Sequence, residues 1–336
     1  MGTRRPSLTR LLSSKNAADL NVLLANELSL SESIIKSCTT ALKSFVQHLK
    51  SKLDTQNEFN DIIIGGSMGT QTEINSEDDV DATLHIMYDY GSDDVTQAIA
   101  SFRQNLANNI ASLEEHVKAY GKNAETDEVQ DAVICCTLLV PDCPVDVEIE
   151  ILPSLLWDVH DADKREKLYE KMIESASDRR FYATSLCVLQ INYIKTLQNT
   201  RVRNLIRLVK FWLQRAFSVD DEKCRLPSAY SLQFLVISLW ETAGRPETFK
   251  PSVGFRAIME AMQNYSNMYI TWSVYYSKDK IQRALVNQRR PILMDPCDPT
   301  KNYASECNCW NDVATVAVAT LGKPMIQDVT PNPRWQ

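Results

Sequence analysis

Residues 145–153 read VDVEIEILP, an alternation strict enough to fix a local conformation. Side chains two apart on a strand share a face. Asp146, Glu148 and Glu150 therefore fall on one side, and Val145, Val147, Ile149 and Ile151 on the other. Such a strand needs an apolar layer behind it and tolerates water, or a cation, in front. NDIIIGGS at 60–67, VDATLHIMY at 80–88 and DAVICCTLLV at 131–140 supply further strand signals, with turn residues between them.

Helical spacing surrounds these strands. In residues 30–53, Ile34, Ile35, Cys38, Leu42, Phe45, Val46, Leu49 and Leu53 line one face, with Ser29 and Glu32 at capping-box spacing. Residues 95–120 repeat the pattern through Ala98, Phe102, Leu106, Ile110 and Leu113. Beyond Pro153 the strand signals give way to helical ones at 164–176, 181–198, 203–216, 228–242, 254–264, 277–287 and 310–320. The pattern predicts an α+β chain: a lobe with a twisted mixed sheet over residues 1–160, then a helical lobe over 161–336.

The chain's 336 residues suffice for two such lobes. No apolar run approaches the length of a membrane span, and no apolar signal region follows the basic start MGTRRPSLTR, so a cytoplasmic protein is the expectation. Nine scattered cysteines predict reduced thiols rather than a disulfide framework. Cys307 and Cys309 lack a second ligand pair at zinc spacing, and His48, His85, His116 and His160 lie far from them in sequence. A net charge of -7 argues against coating nucleic acid all over. The charge is uneven, acidic up to residue 160 and basic from Arg179 to Arg225, which suits a polyanionic substrate held between lobes of opposite sign.

Two stretches carry candidate chemistry. In GGSMGTQTEINSEDDVDATLHI, residues 65–86, two glycines and Ser67 precede Glu77, Asp78, Asp79 and Asp81. Crowded carboxylates repel unless a cation sits among them. Asp79 and Asp81 share a strand face, and Glu150 from a neighbouring strand would complete a three-carboxylate cage for a hard divalent ion. The glycines admit backbone N–H groups near a triphosphate, and Ser67 adds a hydroxyl. A solvated acidic turn remains the alternative. In RVRNLIRLVKFWLQRA, residues 201–216, Arg203, Arg207 and Lys210 form a cationic stripe without interleaved acids, suited to a triphosphate or to an ordinary basic surface.

These two stretches, together with LPSAYSLQFLVISLWE, VGFRAIMEAMQNYSNMYITWSVYY, RRPILMDPCDPTKNY and CWNDVATVAVATLG, resemble the 2'-5' oligoadenylate synthetases in order and spacing. That family belongs to the nucleotidyltransferase superfamily, which includes cyclic GMP-AMP synthase. The resemblance runs from about residue 30 to about residue 325. It implies a polymerase-beta-like nucleotidyltransferase lobe, a helical C-terminal lobe and an active site in the cleft between them. It implies Mg²⁺ held by Asp79, Asp81 and Glu150, ATP bound by Gly66, Ser67, Arg207 and Lys210, and a base beside Tyr230. The implied reaction transfers AMP from ATP to the 2'-hydroxyl of an oligoadenylate acceptor, by a monomer, with double-stranded RNA as the family's activator.

Departures fall on both the metal and the RNA side. Glu150 stands where the family has Asp, and Ala229 where it has glutamine. Ile64, Thr70, Asn75 and Glu77 replace a lysine before the glycines and basic residues after them, and Ile191 replaces an arginine of the RNA-contacting helix. Lys195 and Arg203 remain as RNA contacts. Duplex RNA binding depends on phosphate contacts from Lys and Arg, so the expectation tilts toward activity without it. A cyclic-dinucleotide synthase and an inactive nucleotide or RNA sensor are the rival readings.

Overall fold

The computed structural model describes residue 20 and residues 28–74, 80–121, 124–130, 133–197, 199–217, 224–285 and 288–335. The tail MGTRRPSLTR, Asn75, Glu77, Asp78 and Asp79 lie outside the described residues. Two compact units form, one from residues 30–195 with 276–284, the other from residues 196–275 and 285–336 with 1–29.

The first unit opens with α1 (Glu32–Leu53), whose Cys38, Leu42, Phe45, Val46, Leu49 and Leu53 are buried. Its cap is Ser31, not Ser29: the Ser31 hydroxyl accepts the Ile34 N–H at 3.3 Å. Ser29 stands two residues too early to receive a first-turn N–H. Strand β1 (Phe59–Gly65) runs into a short helix α2 (Gly66–Thr70), followed by β2 (Val80–Tyr88) and α3 (Val95–Tyr120), which Asp94 caps. Next come β3 (Ala124–Gln130), β4 (Val133–Leu138), β5 (Val147–Leu155) and α4 (Ala162–Glu174). The helical pattern at 181–198 divides into α5 (Arg179–Thr184) and α6 (Cys187–Leu197). At the end of α5 the Thr184 hydroxyl accepts the Leu155 N–H at 3.0 Å, which ties the helix to the end of β5.

The sheet order is β1-β2-β5-β4-β3. β2 and β5 are parallel and the other pairs antiparallel, the mixed sheet that the sequence pattern predicts. Strand β3 carried no sequence signal. One sheet face is core, where Val80, Ala82, Leu84 and Ile86 of β2 flank Val147, Ile149 and Ile151 of β5. The other face changes character along its length. It starts with exposed Asp81, Glu148 and Glu150 and ends at Ile63 and Met87, which pack on Cys187, Val188 and Ile191 of α6. Helix α6 therefore closes the apolar end of this face and leaves the acidic end in solvent.

The second unit holds α7 (Thr200–Ala216), α8 (Ala229–Thr242), α9 (Pro251–Gln263) and the short strand β6 (Tyr269–Ile270). The chain then returns to the first unit as α10 (Lys278–Ala284), where buried Lys280 pairs with Glu166 and Glu170 of α4 and Arg283 grips Glu170 through two bonds of 2.7 and 2.8 Å. Strand β7 (Ile292–Leu293) pairs with β6, and α11 (Trp310–Leu321) follows. Trp212 of α7 donates to Thr320 of α11 at 3.0 Å, inside a core that includes Leu205, Val209, Phe234 and Phe255.

Cysteine usage departs from the expectation of reduced thiols, since Cys224 and Cys309 form a disulfide. Their separation of 85 residues leaves no trace in local spacing. Asp312 lies beside this bond, but each sulfur is already bound to the other. Burial pushes the thiols of Cys38 and Cys187 up to about 12, so both stay protonated. No helix among the described residues is long and apolar enough to cross a membrane.

Candidate active site

Asp81 is the best-anchored candidate. Its carboxylate accepts the Ser67 N–H on one oxygen at 2.7 Å and the Ser67 hydroxyl on the other at 2.6 Å. Glycine makes this possible. Gly66 sits at φ +69°, and a Cβ there would lie 2.8 Å from Ala82 Cα and 2.9 Å from Thr83 N. A Cβ at Gly69 would lie 2.5 Å from the Ile64 carbonyl oxygen. The turn is thus pressed against β1 and β2 where any side chain would hold it off. Ser67 itself is buried, and the bond it makes is to Asp81.

Register decides which acids sit together. Asp81 lies opposite Glu148, and Thr83 opposite Glu150, so Glu150 is the diagonal neighbour of Asp81 on the same exposed face. Asp146, the third acid of the alternation, serves the scaffold: its carboxylate accepts the Val140 N–H at 2.7 Å. Like charges on paired strands are unfavourable unless compensated. Exposed Asp81, Glu148 and Glu150 offer hard oxygen donors, the kind that suits Mg²⁺ rather than a softer ion, but among the described residues their carboxyl oxygens do not all come within 4.8 Å of one another. Sequence reading gave Glu148 a place on this face but no role, and the β2–β5 pairing that sets it opposite Asp81 is not a local signal. Four residues on from Asp81, His85 is within 3.3 Å of the Ser154 hydroxyl, and burial lowers its pKa to about 4, so its ring is neutral near pH 7.

In the second unit, Asn199 caps α7, and along that helix Arg207 donates to Asn204 at 2.9 Å while Arg203 reaches Thr200 at 3.3 Å. Lys210 departs from the surface-stripe expectation, being buried with 7% of its surface exposed. Tyr230 lies in the first turn of α8, behind its Ser228 cap, with its ring 6.0 Å from Phe234 and 6.4 Å from Tyr303. Tyr303, which sequence reading passed over, donates its hydroxyl to buried Asp295 at 3.0 Å. Burial first, and then the charge of Asp295, hold that hydroxyl well above its ordinary pKa, so it remains a donor. Of the residues assigned to RNA, Lys195 is exposed on α6, and Ile191, at the family's arginine position, is core.

A mixed sheet with carboxylates on one face and a glycine-serine turn ahead of them is the fold of the nucleotidyltransferases. Solved structures agree at the level of fold: a chain of the Escherichia coli MS115-1 CdnC:HORMA-deltaN complex aligns with a TM-score of 0.61 and 14% identity, covering 91% of this chain and 88% of that one. The CdnE c-di-GMP synthase from Capnocytophaga granulosa aligns at 0.51 and 13%, covering 90% and 84%. Residues 162–336 match the family model described as 2'-5'-oligoadenylate synthetase 1, domain 2, C-terminus. The chain belongs to the 2'-5'-oligoadenylate synthetase family. Among curated relatives, the 2'-5'-oligoadenylate synthase-like protein 2 of Mus musculus is 28% identical over 301 residues, covering 84% of this chain and 58% of that protein. The 2'-5'-oligoadenylate synthase 2 of Rattus norvegicus is 27% identical over 289 residues, covering 79% of this chain and 38% of that protein. The match therefore spans about half the length of these relatives.

Proposed function

We propose that this chain is a 2'-5' oligoadenylate synthase, transferring AMP from ATP to the 2'-hydroxyl of an acceptor adenosine. The observation that carries the reading is the Asp81 carboxylate, fixed on both oxygens by Ser67, with Glu150 diagonally across from it on the adjacent parallel strand. Mg²⁺ held by Asp79, Asp81 and Glu150 would stabilise the attacking and leaving oxygens of an in-line displacement. Glu150 takes the proton of the 2'-hydroxyl as that oxygen bonds to the α-phosphorus and the bond to pyrophosphate breaks. Arg207 and Lys210 neutralise the triphosphate, and Tyr230 stacks on the donor base. Ser67 keeps Asp81 in one orientation and offers its hydroxyl to phosphate by exchanging partners.

The substitutions on the RNA side support catalysis without duplex RNA, because the side chain at the family's arginine position is spent in the core. The test is to incubate purified protein with ATP and Mg²⁺, with and without duplex RNA. The expected product keeps a 5'-triphosphate, resists a 3'-5'-specific nuclease and forms equally in both arms. A product lacking a phosphatase-sensitive end would instead identify a cyclic-dinucleotide synthase, and no product in either arm a binding protein. Asp81→Asn loses several kcal/mol of transition-state stabilisation, about a hundred- to thousandfold in rate; undiminished turnover with the fold intact rejects the metal assignment.

A further inference from the structure

Tyr303 ends the segment MDPCDPTKNY, residues 294–303, which is tied down by its own side chains. The fully buried carboxyl group of Asp295 accepts the N–H groups of Cys297 and Asp298 at 2.6 and 3.0 Å on one oxygen, and the Tyr303 hydroxyl on the other. Asp298 accepts both the N–H and the hydroxyl of Thr300, at 2.7 and 2.6 Å. Asn302, also buried, accepts from Leu293 and Ala304 and donates to Gln288. These polar groups are buried, and each finds its partner within the segment or beside it.

What the network presents is an aromatic ring at a defined tilt. The half-buried rings of Tyr303 and Tyr230 lie 13° from parallel with centroids 6.4 Å apart, within the range of offset stacking. Phe234 lies against both, its ring centroid 5.5 Å from that of Tyr303 and 6.0 Å from that of Tyr230, so the three rings form one cluster. A side chain already held in its binding rotamer is spared the ordering cost of binding.

We propose that Tyr303 is a positioning residue for nucleotide recognition: anchored by Asp295, its ring sets the plane in which Tyr230 meets the purine base. The inference rests on the reading that Tyr230 receives the base of ATP. Loss of the stacked partner weakens ATP binding by about three- to tenfold, the worth of one aromatic pair. It leaves a ligand without a base unaffected.

Binding of α,β-methylene ATP and of inorganic triphosphate, each with Mg²⁺, is measured on the full chain and on Tyr303→Leu, Tyr303→Phe, Tyr230→Ala and the Tyr230→Ala/Tyr303→Leu pair. Tyr303→Leu is expected to lose ATP affinity and keep triphosphate affinity, with KM for ATP rising and kcat unchanged. Tyr303→Phe, which keeps the ring and drops the tether, falls between. The double variant binds ATP no worse than Tyr230→Ala alone, because Tyr303 acts through Tyr230. If Tyr303→Leu binds ATP as the parent does, or loses both ligands equally, or adds its full loss to that of Tyr230→Ala, the inference falls while the base site stands. If Tyr230→Ala leaves ATP binding unchanged, the base-site reading falls and takes the inference with it.

Discussion

Three glycines in the turn between β1 and β2 have different neighbours, and alanine at each should therefore cost a different amount. At Gly66 the new methyl would meet backbone: Ala82 Cα at 2.8 Å, Thr83 N at 2.9 Å and Ala82 C at 3.0 Å, with φ at +69°. Comfortable carbon contacts begin near about 3.5 Å, so the turn or β2 must retreat by several tenths of an ångström. Left-handed backbone costs an L-residue about 1–2 kcal/mol and overpacking about 1–3 more, giving about 2–5 kcal/mol together. The strand that would move carries Asp81 next to Ala82, and misplacing a catalytic group by about 1 Å can cost about a hundredfold in rate. At Gly65, by contrast, the closest atom is the flexible Ile191 Cδ1 at 3.2 Å, so Gly65→Ala should cost less than about 1 kcal/mol. Gly69→Ala, 2.5 Å from the Ile64 carbonyl oxygen, belongs with Gly66→Ala. Thermal melts and ATP turnover, the latter measured well below each midpoint, separate the two effects. Gly66→Ala is expected to melt about 5–15 °C lower and to turn over about a hundredfold more slowly, with Gly65→Ala within about threefold of the parent. Equal damage at Gly65 and Gly66, or none at Gly66, would refute the claim that backbone contact with β2 holds the site.

Breaking the Cys224–Cys309 disulfide by Cys224→Ser should destabilise the chain. Loop closure over 85 residues sets a ceiling of about 4.5 kcal/mol, and added reductant should lower the melting point of the parent but not of the variant. His85 has a folded pKa of about 4 against an ordinary 6.5, so it contributes nothing to pH dependence above about pH 6.5. As pH falls from there to 4, the unfolded chain takes up a proton that the fold refuses, at a cost of roughly 3 kcal/mol. Urea titrations of parent and His85→Phe at pH 7.5 and 4.5 should show the acid loss in the parent and little of it in the variant. Glu150→Asp, which restores the family's side chain, should retain or raise turnover with ATP; complete loss would mean that the site is built around the longer carboxylate.

The alternation in β5 was enough to fix its two faces, because period two is a local property of the chain. The same holds for the buried stripe of α1 and for the glycines ahead of β2. Partners are a different matter. That Asp146 is tied to Val140 while Glu148 and Glu150 face solvent cannot be read from VDVEIEILP, in which the three acids look alike. The difference arises where the strand begins, since the Asp146 carbonyl also accepts the Val80 N–H at the entry to the β2–β5 pairing. Lys210 misled for a related reason: a lysine three residues after Arg207 looks like a continuing surface stripe until the packing of α7 shows its stem buried. Cys224 and Cys309, and likewise Tyr230 and Tyr303, are joined across 85 and 73 residues by folding alone. Each candidate function therefore depends on two kinds of information. Residue type and period say which side chains are capable of the chemistry, and only register and packing say which of them are placed to perform it.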